Sequence, residues 1–207
     1  MSVHKIVNEL FHLFNTRSFK QRPFIVAIDG LSGAGKTTMV KELEDVLKRK
    51  CNVTIIHMDD HIVENTKRYN TGYDEWFEYY YLQWDIDLIK NDLLEKIHNY
   101  YTEISLPYYD KNSNKTTLKE ITISYDSIIL IDGIFLQRKE WKSFYDYKIF
   151  LNCPREIRYE RVLNRDLYIG NLQTRLNKYK RRYWLGEEHY LKTENPIEQA
   201  DKIIDMN

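Results

Sequence analysis

The segment FIVAIDGLSGAGKT, residues 24–37, decides the fold of this chain. Its first half, residues 24–28, is a short continuous apolar run, which is typical of a strand buried on both faces. Its second half fits G-x-x-x-x-G-K-[ST] at every position, with a strand pattern before it and a helical pattern after it. Small glycines let backbone N–H groups converge on phosphate oxygens, and the helix N-terminus adds positive potential. The segment therefore predicts a loop that binds nucleotide phosphates.

The side chains of this loop predict two further contacts. Lys36 can reach the β- and γ-phosphates as a mobile point charge, and the Thr37 hydroxyl can ligate Mg²⁺. The remaining nucleotide-binding candidates are Gly30, Ser32, Gly33, Ala34, Gly35 and Thr38. GTPases share such a loop but carry N-K-x-D, and the nearest string here, NKYK at 177–180, lacks the carboxylate that would pair with guanine. A guanine-dependent switch is therefore not expected.

Apolar runs and helical spacings alternate along the chain. Strands are predicted near 24–28, 53–56, 127–131, 148–151 and 200–204, helices over 3–15, 37–50, 75–97, from Pro154 to 165, and over 171–192, and a hairpin from 103–108 and 117–124. This order predicts an α/β fold of the P-loop NTPase type, with a mostly parallel sheet flanked by helices and a small β-hairpin. We expect a single domain over residues 1–207, with an N-terminal helical region over 1–20, an insert on the acceptor side over about 60–125, and a lid with its following helix over about 154–185.

Composition narrows the functional classes. Lys and Arg number 31 and Asp and Glu also number 31, which argues against a whole-protein surface for nucleic acid. No apolar run approaches the roughly 20 residues of a membrane helix, and the first residues do not resemble a signal peptide. Cys51 and Cys153 form no C-x-x-C pair. We expect a cytoplasmic protein without a membrane or nucleic-acid partner, and homo-oligomerisation stays open.

Two acidic sites follow predicted strands, at the sheet edge where ligands of α/β proteins bind. Asp132 ends the apolar run 127–131, a position that suits coordination of Mg²⁺ directly or through water. The string HMDDH at 57–61 follows the second strand, and an acid there could accept the proton of an attacking hydroxyl. A metal cluster formed by the two histidines and two aspartates, and an ordinary solvated turn, are the alternatives for that string.

Together these motifs resemble the uridine kinase family of P-loop nucleoside kinases, to which phosphoribulokinase and pantothenate kinase are related. The resemblance spans about residues 22–204 and rests on the phosphate loop, the acid after the second strand, P-x-Y-D at 107–110, [DE]-G-I at 132–134 and an R-x-x-x-R helix. It implies that Asp59 is the general base, with Asp60 as the second choice, and that Tyr109 contacts the base or sugar of the acceptor. Asp132 stands where the family usually has Glu, one methylene longer, so a water can intervene at the metal.

The acceptor region departs from the family pattern. The family's [FY]-D-H-P, whose acid holds the sugar, has no clean match, and NTGYDEW at 70–76 occupies that stretch. The resemblance leaves Asp74 as the substitute, beside Tyr73 as a candidate contact of the acceptor. The sequence therefore predicts phosphoryl transfer more firmly than it predicts which molecule accepts the phosphoryl group.

Arginine spacing predicts a lid. Arg158, Arg161 and Arg165 recur at i, i+3 and i+7, so they share one helix face next to a polar stretch. Such arginines can spread over phosphate oxygens and stabilise transition-state charge, whereas a solvated helix face is the alternative. The resemblance selects Arg161 as the catalytic arginine, because the family's lid arginine aligns there, and Arg165, one position off that register, is a candidate nucleotide contact.

Two other stretches have simpler interpretations. The aromatic residues between 69 and 84 favour burial of a helix against the sheet over stacking on a nucleobase. The basic run at 178–182 is followed directly by Glu187 and Glu188, which favours a solvated helix face over a nucleic-acid surface.

These expectations combine into a kinase that uses ATP and Mg²⁺ and transfers the γ-phosphoryl group to a hydroxyl of a small metabolite. The leading acceptor is a nucleoside such as uridine or cytidine. The alternatives are another alcohol, such as pantothenate or ribosylnicotinamide, and a P-loop ATPase or nucleotide-binding module that has no small-molecule acceptor.

Overall fold

The strands of the molecule form one five-stranded parallel sheet and one two-stranded hairpin. The computed structural model describes residues 2–206. The strands are Phe24–Asp29 (β1), Asn52–His57 (β2), Glu103–Asp110 (β3), Lys115–Thr122 (β4), Ser127–Gly133 (β5), Tyr147–Asn152 (β6) and Lys202–Asp205 (β7). The sheet has the order β2-β5-β1-β6-β7, and β3 pairs with β4 in an antiparallel manner.

β1 lies at the centre of the sheet, between β5 and β6, and all of its residues are buried. After β1 the chain runs to the edge strand β2 and returns through β5, whereas β6 and β7 are added on the other side. Ligands of open α/β sheets bind beyond the carboxyl ends of the strands, where such a change of direction occurs. The phosphate loop follows β1 at this place, and the predicted α/β P-loop fold is confirmed.

The helices cover both faces of the sheet. The α-helical segments are Val3–Thr16 (α1), Lys36–Leu47 (α2), Asn65–Arg68 (α3), Glu75–Tyr81 (α4), Ile86–Leu88 (α5), Lys96–His98 (α6), Arg155–Arg165 (α7), Leu172–Lys178 (α8), Trp184–Glu194 (α9) and Pro196–Gln199 (α10). The π-helical turn Ile89–Glu95 joins α5 to α6, and the π-helical turn Tyr179–Tyr183 joins α8 to α9. Short 3-10 turns occur at Met58–His61, Lys142–Phe144 and Leu167–Ile169.

Alternate residues of β1 enter two separate cores. Val26 and Ile28 pack with α1 and α2 on one face, whereas Ile25 and Ala27 face the aromatic helices on the other. A strand directs successive side chains to opposite faces, so an apolar run is required when both faces are covered. Burial of the aromatic stretch is confirmed for Tyr79, Tyr80 and Trp84, and the rest of the stretch is half-buried or exposed.

The predicted helix over 75–97 is wrong as a single element. The structure breaks it at residues 82–85, where the Trp84 indole N–H donates to the Met58 carbonyl at 2.8 Å and Asp85 caps the following segment. Tertiary contacts across the chain override helical periodicity here.

Pro154 is a smaller correction. It is the N-cap of α7, in an extended conformation, and not the first helical residue. Within residues 2–206, no helix is long and apolar enough to cross a membrane.

Candidate active site

One cleft of ≈ 1680 Å³ opens beyond the carboxyl ends of β1, β2 and β5. A site for one small ligand usually measures about 300–1,000 Å³, so this cleft has room for two substrates side by side. The predicted site residues that line it are Ser32, Gly33, Gly35, Lys36, Thr37, Thr38, Asp59, Asp60, Tyr73, Tyr109, Asp132, Arg161 and Arg165. Gly30, Ala34 and Asp74 do not line it.

The phosphate loop has the backbone of an anion cradle. Gly33 and Gly35 have φ values of 80° and 93°, in the left-handed region where residues with a Cβ are strained. Their N–H groups donate to no acceptor within residues 2–206, and α2 begins directly after them. Gly30 and Ala34 instead donate to Asp29 and to the Leu31 carbonyl, which shapes the loop from within. Free amides at a helix N-terminus fit the phosphates of a nucleotide.

Lys36 carries a positive charge in this cradle. Its Nζ donates to the carbonyls of Gly30 at 2.7 Å and Leu31 at 3.2 Å. Burial lowers the pKa of Lys36, and the carboxylates of Asp59 and Asp29, among others nearby, act against that shift. The Lys36 ammonium therefore lies between the carbonyls of the phosphate loop and the nearby carboxylates.

Two buried charges hold the loop at Ser32. The Ser32 N–H donates to Glu187 Oε1 at 2.9 Å, and Arg158 Nη1 donates to the Ser32 carbonyl at 3.1 Å and to Glu187 Oε2 at 2.9 Å. The Arg158 and Glu187 side chains are 8% and 4% exposed. We call this pair and its peptide the Ser32 clamp. The sequence predicted that Arg158 shares the phosphate-facing side of the lid helix, whereas in the structure it positions the phosphate loop.

The strand-end acid Asp132 has a histidine neighbour. Asp132 and His57 are paired across β5 and β2, and His57 Nδ1 is hydrogen-bonded to Asp132 Oδ1. This hydrogen bond raises the pKa of His57, although burial opposes the shift. Thr37, at the start of α2, lines the same cleft. A hydroxyl and a carboxylate fit Mg²⁺, which keeps several waters and needs few protein ligands.

Asp59 and Asp60 lie on the 3-10 turn Met58–His61, at the end of β2. Both line the cleft, and Asp59 is exposed to it. His61 is buried and faces away, with its Nδ1 at 2.7 Å from the Pro107 carbonyl oxygen. Burial lowers the pKa of His61. Among the described residues no group of three or more His, Cys, Asp or Glu side chains is placed to hold a metal ion, so the metal-cluster alternative receives no support.

The two remaining arginines of α7 differ in their contacts. Arg161 Nη1 donates to the Gly33 carbonyl at 3.3 Å, so its guanidinium lies at the mouth of the cradle. Arg165 makes a bidentate pair with Asp166, at 2.7 and 3.1 Å, and this hydrogen bonding raises the pKa of its guanidinium. Both side chains line the cleft from α7.

The far end of the cleft is built on charges that sequence reasoning missed. Arg182 is fully buried and pairs with Glu78 at 3.0 Å, and Arg68 donates to the Tyr69 hydroxyl at 3.2 Å. Burial alone would raise the pKa of the Tyr69 phenol, but the cations Arg182, Lys178 and Arg68 lower it. The predicted solvated face over 178–182 is therefore wrong for Arg182, because its charge is matched by a carboxylate on α4.

The three residues predicted to contact the acceptor differ in their exposure and in whether they line the cleft. Tyr109 is 5% exposed, and its hydroxyl donates to Asn65 at 3.2 Å and Asn114 at 3.0 Å. Tyr73 is 61% exposed and stacks on Phe77 with ring centroids 4.6 Å apart. Asp74 is exposed at the N-cap of α4, and the structure does not bring its carboxylate into the cleft.

Comparisons with known proteins agree with this geometry. Residues 25–170 match the sequence profile of the Phosphoribulokinase / Uridine kinase family. A uridine kinase of Lactobacillus helveticus is 28% identical over 153 residues, which cover 71% of this chain and 69% of that protein. A uridine kinase of Borrelia duttonii is 29% identical over 187 residues, which cover 87% of this chain and 85% of that protein. A solved structure described as a possible uridine kinase from Bacillus stearothermophilus has a TM-score of 0.81 and 35% identity, covering 99% of this chain and 100% of that one.

Proposed function

The chain belongs to the Phosphoribulokinase / Uridine kinase family, and on this basis we propose that it transfers the γ-phosphoryl group of ATP to a hydroxyl of a nucleoside such as uridine or cytidine. One observation carries the proposal: the anion cradle and the carboxylate of Asp59 line the same two-substrate cleft. The uridine kinases among its relatives support the choice of acceptor. The proposal includes a cytoplasmic location, which the free thiols of Cys51 and Cys153 favour.

On the nucleotide side, positioning and charge neutralisation are the main requirements of phosphoryl transfer. The free amides of Gly33 and Gly35 would bind phosphate oxygens, and Lys36 would leave the loop carbonyls to reach the β- and γ-phosphates. Arg161, already beside Gly33, would add positive charge as it develops on the transferred group. Mg²⁺ held through Thr37 and Asp132 would supply further neutralisation of the phosphate charge.

On the acceptor side, Asp59 would accept the proton of the nucleoside hydroxyl as its oxygen attacks the γ-phosphorus. The bond from that phosphorus to the β,γ-bridging oxygen breaks, and ADP leaves. The Asp59 carboxylate opposes the lowering of the Lys36 pKa more strongly than any other charge does, which supports its closeness to the phosphate side of the cleft. The aromatic ring of Tyr69 lines the far end of the cleft, beside Arg68, and offers an apolar face for a nucleobase.

The test is a panel of nucleosides and vitamins supplied with ATP and Mg²⁺, with ADP release and product formation measured. Stimulation by uridine or cytidine supports the proposal, and stimulation by pantothenate or another alcohol alone replaces the acceptor. Slow ADP release that no acceptor stimulates would favour the ATPase or nucleotide-binding module.

Asp59→Asn tests the base within the same assay. We expect turnover to fall by about 10²–10⁴ while ATP affinity is retained, because general-base assistance is lost. Asp60→Asn is the matched control on the same turn, with a much smaller expected loss. A normal rate for Asp59→Asn would remove Asp59 from the mechanism, and the reverse ranking would make Asp60 the base.

A further inference from the structure

The break in the helix after α4 places a buried amide in the wall of the cleft. Gln83 lies in that break, is 9% exposed, and lines the acceptor end of the cleft. Its backbone carbonyl accepts the Val63 N–H at 3.0 Å, so the main chain at this position is fixed. A buried polar side chain on a fixed backbone is well suited to reading a ligand, because it loses little freedom on binding.

The orientation of the Gln83 amide follows from its neighbour. Arg182 Nη2 lies 3.4 Å from Gln83 Oε1, and a guanidinium carries only donors. The amide atom beside Arg182 must therefore be the oxygen. Arg182 is itself held by Glu78 at 3.0 Å and by the Arg68 carbonyl at 3.0 Å, so this orientation is enforced by buried groups.

The other end of the amide is then an oriented donor. Gln83 Nε2 donates to no acceptor within residues 2–206, and it is not among the buried polar atoms without a partner. Its N–H groups therefore face the cleft, whose lining also includes the rings of Tyr69 and Tyr109. Flat aromatic walls with one fixed N–H donor match the edge of a nucleobase that carries a carbonyl oxygen.

We propose that Gln83 is a specificity-determining residue that donates a hydrogen bond to a carbonyl oxygen of the acceptor's base. This rests on the proposed nucleoside kinase activity. A site built to donate to a carbonyl rejects analogues that lack it, since the buried polar group is left unpaired. Acceptors with no carbonyl at this position, such as simple sugars, are accordingly poor substrates.

The experiment replaces the donor by an acceptor. Gln83→Glu keeps an oxygen beside Arg182 but presents a second oxygen to the cleft, and Gln83→Met removes both polar atoms. Gln21→Glu, an exposed position just before β1, is the matched control for the change of charge. For each variant, kcat/KM is measured for uridine and for cytidine, which share the 2-carbonyl but differ in carbonyl or amino at position 4, and KM is measured for ATP.

We expect kcat/KM for uridine to fall about 5- to 150-fold in Gln83→Glu, the equivalent of one mispaired buried hydrogen bond. We expect KM for ATP to stay within about twofold, which separates this effect from a general loss of structure. If Gln83 contacts position 4 of the base, the ratio of kcat/KM for cytidine to that for uridine rises in Gln83→Glu. If Gln83 contacts position 2, kcat/KM falls for both nucleosides. Values within twofold of the wild type for both nucleosides would overturn the assignment of Gln83. If the wild type phosphorylates no nucleoside, the proposed function fails first and this inference falls with it.

Discussion

Replacing Glu187 by glutamine tests how strongly the Ser32 clamp fixes the phosphate loop. The carboxylate accepts two hydrogen bonds on two oxygens, one from the Ser32 N–H and one from Arg158, both at 2.9 Å. An amide has one oxygen, so an N–H group must oppose one of these two donors. An unpaired buried donor costs about 1–3 kcal/mol. Glu187→Ala would leave Arg158 without a counter-charge, at a cost of about 3–5 kcal/mol.

The assay is urea unfolding followed by tryptophan fluorescence and circular dichroism, with extrapolation to water at an unchanged m value. Glu188→Gln is the control, because the Glu188 side chain is 56% exposed and its one salt bridge among residues 2–206 is to the exposed Arg155. We expect this control to stay within about 0.5 kcal/mol of the wild type. KM for ATP should rise in Glu187→Gln and not in the control. A Glu187→Gln variant as stable as Glu188→Gln would refute the clamp.

Three further outcomes follow from buried charges of the site. Lys36→Met should lower turnover at least about a hundredfold while the urea midpoint is kept, and unchanged turnover would contradict a phosphate contact. Glu78→Ala should lose about 3–5 kcal/mol of unfolding free energy because Arg182 (side chain 1% exposed) is stranded, whereas Glu78→Leu with Arg182→Met should recover most of it. The raised pKa of His57 gives a stabilisation that is full below about pH 6.5 and is lost as pH rises through the folded-state pKa. The stability difference between the wild type and His57→Gln should therefore be larger at about pH 6 than at about pH 9 in urea unfolding, and equal differences would refute the pairing with Asp132.

The part of the site that one continuous segment encodes was predictable from sequence. The loop after β1 depends largely on glycine geometry and on the helix that follows it, so its residues are recognisable from sequence, whereas the distant Arg158 and Glu187 that hold it at Ser32 are not. The strand-end acids were predictable for a related reason, since parallel strands bring their carboxyl ends to one edge of the sheet. His57 and Asp132 meet because of register between β2 and β5, which sequence pattern alone does not give.

The far end of the cleft could not be predicted from sequence, because the residues that pair with one another there are distant along the chain. Glu78 and Arg182 are separated by 104 positions. The basic run at 178–182 does not by itself indicate which of its residues pairs with a distant carboxylate. One signal was present: Gly186, in the first turn of α9, lies one turn after Arg182. A Cβ at Gly186 would come within 2.9 Å of Tyr79 Cδ1, so this glycine marks the close approach of α9 to α4 that buries Arg182. The break at residues 82–85, which contains Gln83, could not be recognised from sequence, because apolar residues continue through it at helical spacing.

The Ser32 clamp also limits how α7 can move relative to the phosphate loop. A Cβ at Gly33 would lie 2.8 Å from the Arg158 carbonyl oxygen and 2.9 Å from Val162 Cγ1. The first turns of α7 therefore pack closely against the phosphate loop, and we expect the two to move together. A movement of the segment predicted as a lid would then have to pivot further along the chain, and we expect this at Gly170, whose φ of 128° glycine adopts readily. Arg161, on the α7 side of that position, would already lie beside the Gly33 carbonyl when a nucleotide binds.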